Sequence, residues 1–137
     1  MVKPIMQTTF GKGNGNCYTA CLASILEIPL EDIEPFPSQR LNESDQMAGL
    51  RQHQHYKRWV RSKGFVLSNI AGDPSALDGV IMIAGGIGPR GISHAVVWRN
   101  GECIHDPIPG GTGLVGEPEE YEILVPFDPV NRRTQHG

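Results

Sequence analysis

Ten consecutive residues, Cys17-Tyr18-Thr19-Ala20-Cys21-Leu22-Ala23-Ser24-Ile25-Leu26, are small or apolar at nearly every position. A helix that is apolar all round has no face to give to water, so the segment predicts a central helix that the rest of the chain must cover. Residues 1–14 read as an extended lead-in that runs into the loop Gly11-Lys12-Gly13-Asn14-Gly15, and Asn14 or Asn16 is placed to cap the helix. Cys17 then falls in the first turn. The first N–H groups of a helix have no intrahelical partner, and the macrodipole places about half a positive charge there. Both favour a thiolate over a thiol.

The remaining elements follow from periodicity and punctuation. Ile28-Pro29-Leu30-Glu31-Asp32-Ile33 reads as a one-turn helix started by proline, and Pro35-Phe36-Pro37-Ser38 breaks the chain after it. A second helix is expected over about 44–63, with Ser44 as cap and Gly64 as stop. Its apolar face is formed by Leu50, Trp59 and Val60, flanked by Met47 and Tyr56. Residues 65–67, 79–84, 94–98, 102–105 and 121–125 read as strands. Helices followed by an antiparallel sheet define an α+β domain, here a single one over 1–137 with a loose tail from about 129.

Asn100-Gly101 makes the hairpin between the third and fourth strands testable. With a two-residue turn, His94 lies opposite Pro107, and His94 and Asp106 point to opposite faces. With a three-residue loop, Arg99-Asn100-Gly101, His94 lies directly opposite Asp106, their Cβ atoms ~5 Å apart. The second register also pairs Trp98 with Glu102 and Val96 with Ile104, and it is the one expected here.

Composition removes several classes of function. A chain of 137 residues is long enough to bury its own core. A net charge of −3 gives no electrostatic case for nucleic acid or anionic membrane as a bulk partner. No apolar run approaches the ~18 residues of a membrane span, and the first residues lack the apolar segment of a signal peptide. Three cysteines, an odd number, make no disulfide framework and point to free thiols in a reducing cytoplasm. No Cys or His pair has the spacing of a structural zinc site, so neither metal nor cofactor is expected.

The chemistry-bearing residues come in a definite order. A cysteine opens a buried helix, a histidine (His94) opens a strand, and an aspartate (Asp106) ends the next one. This order resembles the papain-like cysteine peptidase superfamily, especially small bacterial members such as the double-glycine leader peptidases. In closer detail the chain resembles a family of small phage and bacterial proteins. The matching text is Gln7-Thr8-Thr9-Phe10-Gly11, Gly15-Asn16-Cys17, Ala20-Cys21-Leu22-Ala23-Ser24, Ile28-Pro29-Leu30-Glu31, Gly88-Pro89-Arg90-Gly91, His94-Ala95-Val96-Val97 and His105-Asp106-Pro107. The resemblance implies a papain-like fold, with the Cys helix packed on the sheet that carries His and Asp. It implies that Cys17 attacks a carbonyl, that His94 forms an ion pair with the thiolate and protonates the leaving amine, and that Asp106 orients the imidazole. The oxyanion is then held by the Cys17 N–H and one side-chain amide, for which Gln7, Asn14 and Asn16 are the candidates. Gln7 lies ten residues before Cys17, farther upstream than the corresponding glutamine of papain-like enzymes. The implied setting is the bacterial cytoplasm, during phage infection, with a peptide or amide substrate that includes host protein.

The other reactive residues have plainer readings. Cys21 and Cys103 are expected in the core. His105 is a rival base separated from His94 only by register, Asp106 before a proline also suits a turn, and His53 and His55 are expected on the solvated side of the second helix. The glycine-rich stretches 85–91 and 109–113 are expected as loops that wall a substrate cleft, with Arg90 and Gly91 binding a carboxylate or phosphate there. Two other functions share these residues: a module that binds a small molecule, such as a nucleotide signal, without turnover, and a thiol acyltransferase with an acceptor other than water.

Overall fold

The computed structural model describes residues 2–11, 15–36 and 45–127. The predicted cap Ser44, the break at Pro37-Ser38, Asn14 and the tail from 129 lie outside the described residues. The element order is α1 (Cys17–Leu26), a 3-10 turn (Leu30–Asp32), α2 (Asp45–Ser62), β1 (Phe65–Asn69), a 3-10 turn (Pro74–Ala76), β2 (Met82–Ile87), β3 (Ser93–Arg99), β4 (Glu102–His105) and β5 (Glu120–Pro126). The five strands form one antiparallel sheet in the order β1-β5-β2-β3-β4. The class is α+β, as expected.

The chain divides into two compact units, residues 1–33 with 69–123 and residues 34–68 with 124–137. In the first, α1 packs on β2 and β3. Ala20, Cys21, Leu22 and Ala23 of the helix and Ala84, Val96 and Val97 of the sheet are fully buried, which is where an all-apolar helix has to lie. The helix ends at Glu27, whose left-handed φ of 58° turns its N–H onto the Ala23 carbonyl. Ser24, at 0 % exposure, donates to Ala20 O (2.7 Å) and accepts from Ile5 N (3.0 Å), fastening the N-terminal lead-in along α1.

In the second unit, α2 buries Ala48, Tyr56, Trp59 and Val60. The expected face is corrected at one end, since Leu50 and Met47 are exposed. The correction reaches the histidines too, since His53 is half-buried as well as His55. His55 has Nε2 2.7 Å from Glu34 O and its ring edge-on to Phe36 and Tyr56.

Two corrections in the sheet bear on the site. β2 covers 82–87 rather than 79–84, so Gly85 and Gly86 are strand residues and not loop. They are suited to it by what packs over them. A Cβ on Gly85 would stand 2.9 Å from the Glu120 carboxylate, and one on Gly86 3.3 Å from Leu114. The hairpin register is also different. Asn100 (φ 53°) and Gly101 (φ 81°) form a two-residue type I′ turn that pairs Arg99 with Glu102 and Trp98 with Cys103, so the expected pairings of Trp98 with Glu102 and Val96 with Ile104 do not occur. Val97 then pairs with His105, leaving Ile104 as the extra residue of a β-bulge on the edge strand. One inserted residue reverses the side-chain alternation. His94 and Asp106 therefore share a face, as neighbours on the diagonal rather than directly opposite.

Candidate active site

The site lies within the first unit and is built on three elements. α1 carries Cys17 in its first turn, β3 carries His94 near its start, and Asp106 follows the last residue of β4. The side chains of His94 and Asp106 are 3 % and 7 % exposed, and His94 Nε2 lies 2.7 Å from Asp106 Oδ1. That bond fixes the neutral tautomer, with the proton on Nε2 and the lone pair on Nδ1.

The carboxylate is held on every side. Oδ1 also accepts from Ile108 N (3.1 Å), closing an Asx turn, and Oδ2 accepts from Gly113 N (2.8 Å). Turn-forming and imidazole-binding roles are thus not alternatives for Asp106; one carboxylate does both. The two backbone donors were not found from sequence, although the run of Pro and Gly after Asp106 signals a chain that can fold back on it.

Cys17 is half-buried, whereas Cys21 is fully enclosed. A hydrogen-bonding interaction with the Cys17 side chain is the largest influence on His94 and raises its pKa above the ordinary 6.5. Burial works against this, and the Asp106 hydrogen bond and the charges of both partners add to it. Since Nε2 is taken by Asp106, the nitrogen left to face Cys17 is Nδ1. Nδ1 is buried and makes no formed hydrogen bond among the described residues. The thiol and the ring are therefore within influence of each other without a closed bond, a condition common in ligand-free sites whose contacts tighten on binding.

The remaining cysteines and histidines separate clearly. Burial pushes the Cys21 thiol well above its usual range, with Cys17, Asp106 and Cys103 as lesser causes, so it is an inert core residue. Cys103 is half-buried rather than part of the core, and its thiol is also pushed up, chiefly by burial. His105 is the rival base no longer, because its Nε2 is engaged 2.8 Å from Ile5 O.

The oxyanion candidates are placed as follows. Gln7 is 4 % exposed, and its backbone N–H donates to Pro107 O (2.8 Å), next to Asp106. Its Nε2 donates to Thr9 O (3.0 Å) and its buried Oε1 makes no hydrogen bond among the described residues. Asn16 occupies the N-cap position without capping, a correction to the expected role. Its Oδ1 accepts from Thr8 N (2.9 Å) and Thr9 N (3.1 Å) and its Nδ2 donates to Thr8 Oγ1 (2.9 Å), so the side chain ties down the lead-in instead. Tyr18, beside Cys17, is a residue sequence did not single out. Burial, followed by the charge of Glu122, a buried carboxyl on β5, raises its pKa far above the usual phenol value.

A cleft of about 160 Å³, open to solvent, lies over His94 and Asp106 between residues 88–90 and 108–112. Arg90 is an exposed wall of it; Gly91 is exposed and lies outside the lining, and so does Cys17. Among the described residues, no group of three or more His, Cys, Asp or Glu is placed to hold a metal ion, and no helix is long and apolar enough to cross a membrane. Comparison with family models, with curated proteins and with solved structures finds no match to this chain.

Proposed function

We propose that this protein is a small papain-like thiol hydrolase that cleaves a peptide, isopeptide or other amide bond. The observation that carries the reading is a histidine held by a buried aspartate at 2.7 Å, with a helix-start cysteine as the largest influence on its ring. Nδ1 of His94 takes the Cys17 proton, and the thiolate attacks the substrate carbonyl. The imidazolium is stabilised by Asp106 and returns its proton to the leaving amine, so that an acyl-Cys17 thioester remains. Water, deprotonated by the same nitrogen, then releases the acid. The oxyanion is held by the Cys17 N–H at the helix start, joined by a side-chain amide. Gln7 suits that part in its burial beside Pro107 and in the second hydrogen of its Nε2, which its bond to Thr9 leaves over. Arg90 in the cleft wall suits a carboxylate on the substrate.

The test is acylation by p-nitrophenyl acetate followed by intact mass. The account expects one acetyl group on Cys17, released by water, and none in Cys17→Ala. Release to added amines in preference to water would instead mark an acyltransferase. Absence of any Cys17-dependent adduct would overturn both.

A second reading has one observation in its favour. The cleft is lined by Arg90 and by the His–Asp pair but not by Cys17. A module that holds a small anion such as a nucleotide would have this arrangement. It predicts ligand binding that Cys17→Ala preserves and Arg90→Ala removes.

A further inference from the structure

Each wall of the cleft contributes one glycine whose backbone conformation does not call for glycine. Gly91, Gly110 and Gly113 have φ of 79°, 70° and 88°, a region in which side chains are strained. Gly88 and Gly111 do not. What sets them apart is contact. A Cβ on Gly111 would overlap the Asp106 carboxylate and the Ile108 side chain, and a Cβ on Gly88 would stand 3.0 Å from the Cβ of His94.

We propose that Gly111 and Gly88 are positioning residues for the His94–Asp106 pair, each leaving open the volume that one member of the pair occupies. Neither side of the Gly111 contact is free to give way. Gly111 N donates to Ile108 O (2.9 Å), which holds the glycine in its turn. Asp106 is fastened to His94, Ile108 and Gly113, so moving its carboxylate breaks at least one of those bonds. Gly88 is held in the same way, donating to Ile92 O and accepting from Gly91 N, both at 2.9 Å. A methyl group at 111 therefore acts on His94 through Asp106, without touching the ring.

The consequence is read at His94. The groups that face its ring are Cys17 from α1 and Asp106 after β4, and Arg90 lines the same cleft. Loss of the Asp106 bond removes one of the influences that hold the ring protonated, weakens the pull of the displaced carboxylate's charge, and leaves burial, which opposes protonation, in place. It also frees the tautomer, because among the described residues Asp106 is the partner of Nε2. The inference rests on the thiol-hydrolase reading for the use of the pair, but not for its geometry.

The experiment is nitrogen-detected NMR titration of histidine-labelled protein, comparing wild type, Gly111→Ala, Gly88→Ala and Gly116→Ala. Gly116 has φ 73° and nothing within 4 Å of a Cβ, so its alanine variant is strained without touching the pair. In Gly111→Ala the His94 midpoint is expected to move to lower pH and the Nε2–H tautomer to lose its dominance. Gly116→Ala is expected to lose stability with the wild-type titration unchanged. A wild-type His94 curve in Gly111→Ala, or an equal shift in Gly116→Ala, overturns the proposal. Should Gly111→Ala fail to fold, Gly88→Ala decides: a displaced His94 midpoint supports the proposal and a wild-type curve overturns it. Wild-type Cys17 that resists acylation, beside a His94 shift in Gly111→Ala, would leave the positioning role standing and remove the hydrolase reading.

Discussion

At the scale of single residues, the account depends on an imidazole whose two nitrogens do different work. Nε2 is bound to Asp106, and in the proposed mechanism Nδ1 is the lone pair that serves Cys17. Asp106→Asn keeps the shape but offers an amide where the ring needs an acceptor, and the wrong tautomer then turns Nδ1 into a donor. Turnover of an ester or amide substrate is expected to fall by at least about a hundredfold in this variant, with the fold intact by circular dichroism. Undiminished turnover would mean that the 2.7 Å bond is a structural tie and nothing more. Cys21 provides an internal control. It shares the helix with Cys17 but is fully buried, so in the native protein it is expected to stay unmodified by reagents that label Cys17.

At the scale of elements, the helix that carries Cys17 is held at both ends by polar ties. Ser24 binds the lead-in near the helix C-terminus, and Asn16 binds it at the N-terminus. Ser24→Ala leaves Ile5 N without its acceptor and is expected to cost about 1–2 kcal/mol in urea unfolding, against about 3 kcal/mol for the cavity left by Leu22→Ala. A Ser24→Ala loss below about 0.5 kcal/mol would show that the lead-in is not anchored there. The elements differ in how much of them is legible in the sequence. α1 was legible to the residue, because an apolar run bounded by Gly and Asn has few other destinations. β4 was legible too, but its partner register was not. Asn-Gly fixes the turn, whereas the bulge at Ile104 depends on how an edge strand twists, and no local signal marks it. The displacement of β2 has the same kind of cause, since Glu120 and Leu114, which pack over Gly85 and Gly86 in the strand, come some thirty residues later. At the site, the pairing of His94 with Asp106 was legible from order and spacing, and the reaction proposed for them with Cys17 is left to experiment. The donors that fasten Asp106 could not, because they are backbone groups and carry no residue type.

At the scale of the whole molecule, the site ties stability to pH. The folded protein holds a proton on His94 at pH values where the unfolded chain, with an ordinary pKa of 6.5, has released it. Folding therefore takes up protons above that value, and the stability gained is complete below it and lost as pH rises through the folded-state pKa. Cys21 and Cys103, raised by burial, act with the same sign only at higher pH, where ordinary thiols ionise. The window that isolates His94 is thus pH 6.5 to about 8. Across it the wild type is expected to lose stability in urea titrations, and His94→Gln to show a flatter dependence. Equal slopes in the two proteins would contradict the raised His94 pKa.

The central claim is that Cys17 and His94 share a proton, and the pH dependence of alkylation tests it most directly. Iodoacetamide is followed by intact mass from pH 5 to 9 in wild type and in His94→Ala. The account predicts a rapid single modification at Cys17 whose rate depends on His94, slowing at least about tenfold in His94→Ala. A slow reaction that rises only in the alkaline range and is indifferent to His94→Ala would contradict it, and the cleft over His94 and Asp106 would then be read as a binding site.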